Sequence, residues 1–361
     1  MKIFVTIYQM QEGGAARVTS VMINGLIERG YDVVLCTDSC FYSVFYPLSS
    51  KVKILSYNLK PSKLNKYVLF SRAILRMRKY ILQEQPDVVI GVESIFFFLV
   101  KIASLGLRIP VVAVDHTSMG RDMGRFINWI RHSFYQYSSA LSILTKKDAK
   151  LLGDSVPQKK VIYNPLSFTT RESLVFRKKK ILCVGRLNVW HIKGFDIMLD
   201  IWAKLYSKYP DWTLEIAGTG STVSIQEINE MIEKKNLSGS VKLLGQIEDM
   251  QKLYQQTSIF ALPSRVEGFP MCLIEAMSQG CACVAFSVQG AVDEIIEKNI
   301  SGLVVDDGDY MAFSNALEYY LNLTEYQRDN LAKQIMERSK MFSKESFINN
   351  WVKLLNDVIS K

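Results

Sequence analysis

Ser264-Arg265-Val266-Glu267-Gly268-Phe269-Pro270-Met271-Cys272-Leu273-Ile274-Glu275-Ala276-Met277-Ser278-Gln279-Gly280 is the run around which the chain is organised. It follows an apolar run, residues 259–262, with the pattern of a buried strand. Gly268 supplies a flexible loop. Pro270 is predicted at the first helical position, where a fixed φ helps and a missing N–H costs nothing. An apolar helix follows and stops at Gly280, a predicted C-terminal cap. The reading is strand, tight loop, helix. A helix start leaves backbone N–H groups unpaired and carries partial positive charge, so it can hold a phosphate. Glu267 and Glu275 flank it, and carboxylates accept hydrogen bonds from sugar hydroxyls. Phosphate donors between two such acids suit a nucleotide sugar. The bland alternative is a loop acid and a helix acid that merely cap or solvate.

Outward from this stretch the same alternation recurs. Strands are predicted at 181–184, 213–217, 241–244, 282–286 and 303–305, with helices at 194–209 and 224–235. The first half repeats the pattern. Strands are predicted at 5–8, 33–37, 52–57, 87–92, 111–114, 141–145 and 161–163, and a helix runs from Gly13-Gly14-Ala15-Ala16-Arg17 to near Gly30. This predicts an α/β fold with parallel sheets covered on both faces. A chain of 361 residues exceeds one ordinary core. Asn164-Pro165 and the polar stretch to Lys180 place a boundary, giving domains 1–165 and 166–342. A helix at 343–361 carries Phe347, Trp351, Leu354, Leu355 and Val358 on one stripe, which packs on its own domain or crosses back to the first.

With 48% apolar and 22% charged residues the composition is that of a globular protein, and no apolar run nears the ~20 residues that span a bilayer. The opening Met1-Lys2-Ile3-Phe4-Val5-Thr6-Ile7-Tyr8 is too short in apolar core for a signal peptide. Six cysteines show neither zinc spacing nor a disulfide framework, which fits a reducing cytoplasm. Residues 1–165 hold 22 Lys/Arg and 11 Asp/Glu; residues 166–361 hold 22 and 24. The whole excess of +9 thus comes from the first half, which points to an anionic partner there. No nucleic-acid-reading motif is present, so an anionic membrane surface is favoured over nucleic acid. Two basic, apolar segments support this: 60–80, with Lys63, Lys66, Arg72, Arg76, Arg78 and Lys79, and 119–137, with Arg121, Arg125, Arg131, Phe126, Trp129 and Phe134. The alternative is ordinary surface helices with snorkelling cations.

Other loops after strands carry candidate chemistry. Gly13 and Gly14 let a ligand approach the backbone. His116 follows a strand and can donate to a hydroxyl or phosphate, although a lone histidine is more often a packing residue. Arg186 ends a strand and Lys193-Gly194 lies seven residues on; a guanidinium fork and an ammonium point charge suit a diphosphate. Gly218-Thr219-Gly220 forms a turn but lacks a full G-x-G-x-x-G pattern, because Val223 stands at its last position. Asp307-Gly308-Asp309 is a D-x-D string in a polar turn, and no metal is expected there. All the loop positions from Gly13 to Glu275 lie beyond carboxyl ends of strands, where ligands of parallel sheets bind.

In the order Gly13-Gly14, Asp115-His116, Asn164-Pro165, Gly185-Arg186, Lys193-Gly194, Gly218-x-Gly220 and Glu267-Gly268-Phe269-Pro270 to Glu275-Ala276, the chain resembles the retaining GT-B-fold glycosyltransferases of family 4. That resemblance implies two Rossmann-like domains facing across a cleft, with acceptor mostly on the first and nucleotide-sugar donor, most simply UDP-linked, on the second. It implies Arg186 and Lys193 on the diphosphate, Glu275 on the ribose and Glu267 on the transferred sugar. It places the donor along Gly268, Phe269, Pro270, Met271 and Cys272, with backbone N–H groups around Phe269 to Cys272 on sugar and phosphate, Gly14 near the phosphates and His116 near the reacting sugar. It implies same-face attack, with a departing phosphate oxygen helping to deprotonate the acceptor and no enzymatic nucleophile. One departure from the family is the longer spacing from Arg186 to Lys193, filled by Trp190-His191.

Together these readings predict a glycosyltransferase that needs no cofactor and moves a hexose or N-acetylhexosamine onto a glycan acceptor linked to undecaprenyl diphosphate or another lipid. It would sit peripherally on the inner face of the cytoplasmic membrane and serve capsule, O-antigen or N-glycan assembly. A nucleotide-sugar epimerase on the same fold and a non-catalytic sugar-nucleotide binding protein are the competing classes. An oxidoreductase would need the dinucleotide fingerprint that is missing.

Overall fold

A computed structural model describes residues 1–40, 42–58, 66–156, 158–171, 177–288 and 290–360, the side chains of residues 66 and 67 excepted. The chain divides into two compact units, Met1–Pro165 with Lys344–Lys361, and Leu166–Ser343.

In the first unit, β1 (Lys2–Thr6), β2 (Asp32–Thr37), β3 (Lys53–Ser56), β4 (Val88–Val92), β5 (Val111–Val114), β6 (Ala140–Ile143) and β7 (Lys159–Val161) form one sheet in the order 3-2-1-4-5-6-7. Every pairing is parallel; Phe4, for example, faces Val34 on one side and Val89 on the other. The helices are α1 (Gly14–Glu28), α2 (Lys66–Glu84), α3 (Ser94–Ala103), α4 (Arg125–Trp129) and α5 (Lys146–Leu151).

The second unit repeats the plan. Strands β8 (Lys178–Val184), β9 (Thr213–Ala217), β10 (Val241–Gly245), β11 (Thr257–Leu262), β12 (Ala282–Ser287) and β13 (Leu303–Asp306) order as 10-9-8-11-12-13, again with parallel pairings. Its helices are α6 (Phe195–Leu205), α7 (Thr222–Lys234), α8 (Met250–Gln256), α9 (Met271–Ser278), α10 (Val292–Ile295), α11 (Tyr310–Asn322) and α12 (Glu325–Ser339). Both sheets start in the middle and run outward in two directions, which opens a crevice beyond the central strand ends. Helix α13 (Lys344–Ile359) then belongs to the first unit.

The two-residue period of the strands builds two cores per sheet. In the first unit Ile3, Val5, Val33, Leu35, Ile90 and Val112 face α1 and α13. Phe4, Val34, Val89, Val111 and Ala113 face the other way and pack with Ala73, Met77 and Phe97 of α2 and α3. The stripe predicted on α13 is all buried: Phe347, Trp351, Leu354, Leu355 and Val358. Gly25 makes room for it on α1, since a Cβ there would lie 2.2 Å from Ile348 Cδ1.

Several boundaries differ from the sequence reading for local reasons. Strand β8 begins at Lys178, inside the predicted linker. Lys178 and Lys180 pair in register with Thr257 and Thr213, and the Lys180 ammonium meets the buried Glu215 carboxylate at 2.5 Å. Pro270 is the N-cap of α9, one position earlier than predicted, with φ −72° and ψ 96°. Gly280 ends that helix in a left-handed conformation, φ +77°; Gly280 N–H bonds Met277 O and Cys281 N–H bonds Ala276 O, closing a Schellman motif. Asp309 of the D-x-D string caps α11 through Ala312 N–H.

The basic segment 119–137 is not one amphipathic helix. It is the single turn α4, a π-turn Ile130–Phe134 and a 3-10 turn Tyr135–Tyr137. Arg131, predicted to face an anionic surface, is buried at 1% exposure. Of segment 60–80, Lys60 and Lys63 lie outside the described residues, and Arg78 caps the end of α3 by donating to Ala103 O and Leu105 O.

Candidate functional site

In the second unit the predicted residues gather beyond the ends of β8, β9 and β11. Gly185 follows β8 and lets the stem of Lys193 lie across it; a Cβ at Gly185 would meet Lys193 Cγ at 2.9 Å. The Lys193 ammonium reaches Glu267 Oε1 at 2.8 Å. Gly218 crosses β8's exit so closely that a Cβ would lie 1.8 Å from Gly185 O. Gly220 sits against Leu187 and Ser224 in the same way. Asn188 holds this turn, accepting from Ser221 N–H at 2.6 Å and from Ser224 Oγ at 2.9 Å. The glycines are therefore required by close approach of two loops.

The insertion Trp190-His191 has a structural explanation. Trp190 Nε1 donates to Glu227 at 2.8 Å, and Lys193 N–H returns to Val189 O. Arg265 donates to both Asp196 oxygens, at 2.8 and 2.7 Å, and its side chain also bonds His191 O. Gly194, at φ +70°, opens α6 where a Cβ would strike Pro263 O at 1.9 Å. The longer spacing is thus absorbed by an anchored loop, and Lys193 remains aimed at Glu267. Arg186 is exposed; its carbonyl accepts from Val189 N–H, while its guanidinium has no hydrogen-bond or ion-pair partner among the described residues.

Pro270 cannot donate, so the α9 start presents the N–H groups of Met271 and Cys272 next to Glu267. The Cys272 thiol is pushed up to about 12, by burial first and by the Glu267 charge second, so it is neutral and no nucleophile. Gly268 has open space where its Cβ would be, and Gly290 packs on the carbonyls of Glu267 and Gly268. Phe269 is buried edge-on to Phe342. One turn along α9, Glu275 is buried; Ser167 Oγ and Tyr254 Oη donate to its carboxylate. Burial, then the Glu275 charge, holds the Tyr254 phenol well above its ordinary value, so it stays a donor. Ser264 Oγ is buried with no hydrogen-bond partner among the described residues.

In the first unit Gly13 caps α1 and, like Gly14, has open space around it. His116 follows β5. Burial pushes its imidazole down to about 4 against the pull of Asp115, so it is neutral at pH 7. Its buried Nδ1 and the Oδ1 of Asn164 form no well-directed hydrogen bond among the described residues, although the Asn164 side chain lies near enough to oppose the fall in the imidazole's pKa as Asp115 does. The loop carrying His116 is rigid for reasons the sequence did not reveal. Arg131 donates through Nε to Asp115 at 2.9 Å and through its two amino groups to the carbonyls of Arg121, Thr117 and Ser118. Asp148, also buried, accepts from Ser118 Oγ, Met119 N–H and Thr145 Oγ1. Among the described residues, no group of three or more His, Cys, Asp or Glu side chains is placed to hold a metal.

Comparison with known proteins gives a consistent picture. The family model described as Glycosyltransferase Family 4 matches residues 12–167, and that described as Glycosyl transferases group 1 matches residues 178–322. A Campylobacter jejuni enzyme is 26% identical over 99% of both chains; its name describes an alpha-1,4-N-acetyl-D-galactosaminyltransferase acting on GalNAc-alpha-(1->4)-GalNAc-alpha-(1->3)-diNAcBac-PP-undecaprenol. An amylovoran biosynthesis glycosyltransferase of Erwinia amylovora is 27% identical over 95% of this chain and 96% of its own. The solved structure of Anabaena HepE with UDP superposes with a TM-score of 0.79 at 16% identity, over 99% of this chain and all of the other.

Proposed function

Because the chain belongs to the GT-B-fold glycosyltransferases of family 4, we propose that it moves a hexose or N-acetylhexosamine from a UDP-sugar, with retention, onto a lipid-linked glycan. The observation that carries this is the Lys193–Glu267 pair on the Gly185 shelf, beside the first N–H groups of α9. Departure of UDP creates negative charge on the diphosphate. Lys193, the uncommitted Arg186 fork and the helix start stabilise that charge. Glu267, released from Lys193 as the phosphates take the ammonium, holds hydroxyls of the transferred sugar. Glu275 exchanges its Ser167 and Tyr254 donors for ribose hydroxyls. The neutral His116 offers a hydrogen bond to the reacting sugar without adding charge, and Gly14 leaves the phosphates room. The acceptor hydroxyl attacks the anomeric carbon on the face from which the phosphate leaves. A phosphate oxygen takes its proton.

Helix α2 supports a peripheral membrane location. Val68, Arg72, Leu75, Lys79 and Leu82 are exposed at i, i+4, i+7, i+11 and i+14, one mixed apolar and basic stripe, with Leu75 68% exposed. Phe126, Trp129 and Tyr137 are exposed large rings in the same unit. No helix among the described residues is long and apolar enough to cross a membrane. An undecaprenyl-diphosphate-linked acceptor at the inner membrane face fits such a surface, and the acceptor in the name of the Campylobacter relative is of that kind.

Thermal unfolding with UDP, GDP, ADP, CMP or NAD, each with and without magnesium, tests the donor site. UDP at 100 times its dissociation constant adds about 2.7 kcal/mol, a shift of a few degrees. The shift is expected without magnesium and is expected to vanish in Glu275→Ala. A response to NAD alone would overturn the reading.

A further inference from the structure

Among the described residues, the non-glycine positions at positive φ are Asn58, Gln85, Glu93, Asn236 and Asn299. Asparagine tolerates this region; a glutamate rarely occupies it. Glu93 does so at φ +69°, directly after β4, where its N–H bonds Val114 O at 2.8 Å and its carbonyl starts α3. Strand β4 adjoins β1 at the point where the strand order reverses, the position at which parallel sheets bind ligands. Backbone strain is retained there only where something over-determines it. The helix gives no reason for the acid, because the side chain makes no capping bond.

Glu93 lines a cavity of about 210 Å³ whose walls include Tyr8, Phe96, Met123, Ile127 and Asp115. The two acids differ in commitment. Asp115 accepts from Ser94 Oγ, Thr117 N–H, Arg131 Nε and Tyr135 Oη. The Glu93 carboxylate has no hydrogen-bond or ion-pair partner among the described residues. Glu93 is an exposed residue, yet the protein packed around its carboxyl strips enough water to push it above its ordinary range, with the Asp115 charge adding to the rise. A largely apolar cavity with one uncommitted hydrogen-bond acceptor suits a sugar ring, whose C–H face lies on apolar walls while a hydroxyl or amide N–H donates outward.

We infer that this cavity is a subsite for the acceptor sugar and that Glu93 accepts a hydrogen bond from it, fixing which hydroxyl is presented. The inference rests on the glycosyltransferase reading above. It assigns Glu93 to acceptor binding and not to the donor or the chemistry.

The full chain is assayed with UDP-glucose, UDP-galactose and UDP-N-acetylgalactosamine against p-nitrophenyl α-glucoside, α-galactoside and α-N-acetylgalactosaminide. Glu93→Gln and Glu93→Gly are compared with the parent. The glycine variant removes the carboxylate and relieves the backbone, so it should melt no lower than the parent. Glu93→Gly should raise the acceptor KM tenfold or more, and Glu93→Gln, which keeps a neutral acceptor oxygen, should raise it less, both leaving the UDP melting shift and the slow transfer of sugar to water unchanged. If the rise is confined to the acetamido acceptor, the donor of the bond is its N–H; if it extends to the other glycosides, a ring hydroxyl. Parent-like acceptor kinetics in a stable Glu93→Gly, or equal loss of transfer to water, overturns the subsite. A parent protein that neither responds to UDP nor consumes any UDP-sugar overturns the donor reading, and this one with it.

Discussion

Each unit places a cation against a carboxylate just past a strand end, and the two pairs behave as opposites. Arg131–Asp115 is sealed, at 1 and 4% side-chain exposure, and the guanidinium also reaches three backbone carbonyls. Lys193–Glu267 is a single contact at 20 and 8% exposure, with the exposed Arg186 nearby in sequence. A sealed, fully bonded pair cannot respond to a ligand and works as a clamp. An ion pair with spare valence on both partners is a placeholder that a diphosphate and a sugar can take apart. Similar charge chemistry therefore serves geometry in one unit and exchange in the other.

The largest expected effect comes from opening the clamp. Arg131→Ala leaves Asp115 buried and unpaired, which costs about 3–5 kcal/mol. Denaturant titration should show that loss, with Arg131→Lys in between; a change under about 1 kcal/mol would end the distinction between the pairs. Lys193→Ala should do the reverse. Turnover falls by about 10²–10³ for a lost charge-stabilising donor, while the melting temperature moves little. A protein that loses both would make Lys193 a clamp as well.

A smaller effect separates the units by pH. A His116 held near 4 when folded, against about 6.5 unfolded, binds its proton more readily in the unfolded chain. Its contribution therefore falls as pH drops from about 6.5 to about 4, by up to about 1.4 kcal/mol per pH unit, and is flat above and below. His116→Asn should flatten the stability profile in that window only; an unchanged profile would mean the histidine is not held neutral. The smallest effect is at the α2 stripe. Exchanging Arg72 and Lys79 for Gln removes about 1 kcal/mol each of attraction to an anionic surface, so sedimentation with phosphatidylglycerol vesicles should weaken about tenfold or more at low salt. Equal binding by both proteins would remove α2 from the membrane face.

The fold was legible because parallel strands buried on both faces write continuous apolar runs, and glycines at close approaches mark the loops between them. Gly185, Gly194, Gly218 and Glu267 could be placed because strand, loop and helix follow one another locally in sequence. Arg131 could not, because its partners come from Thr117, Ser118, Arg121 and Asp115, and nothing in an alternating run of arginines and aromatics says which cation turns inward. Glu93 was missed for a related reason: a single acid before Ile95-Phe96-Phe97-Phe98 looks like helix-start polarity, while its meaning lies in a backbone angle.

The packing of α13 on α1 has a consequence for how the protein is made. Phe347, Ile348, Trp351 and Leu355 complete a core whose other residues include Ile3, Val18 and Ile23. On a ribosome, the second unit has all of its strands before α13 emerges. The first unit, although synthesised earlier, still lacks at that moment the helix that completes the core between α1 and its sheet. The later half of the chain can thus close around its own core while the earlier half waits, exposed to chaperones and proteases, for about sixteen residues made after everything else in both sheets.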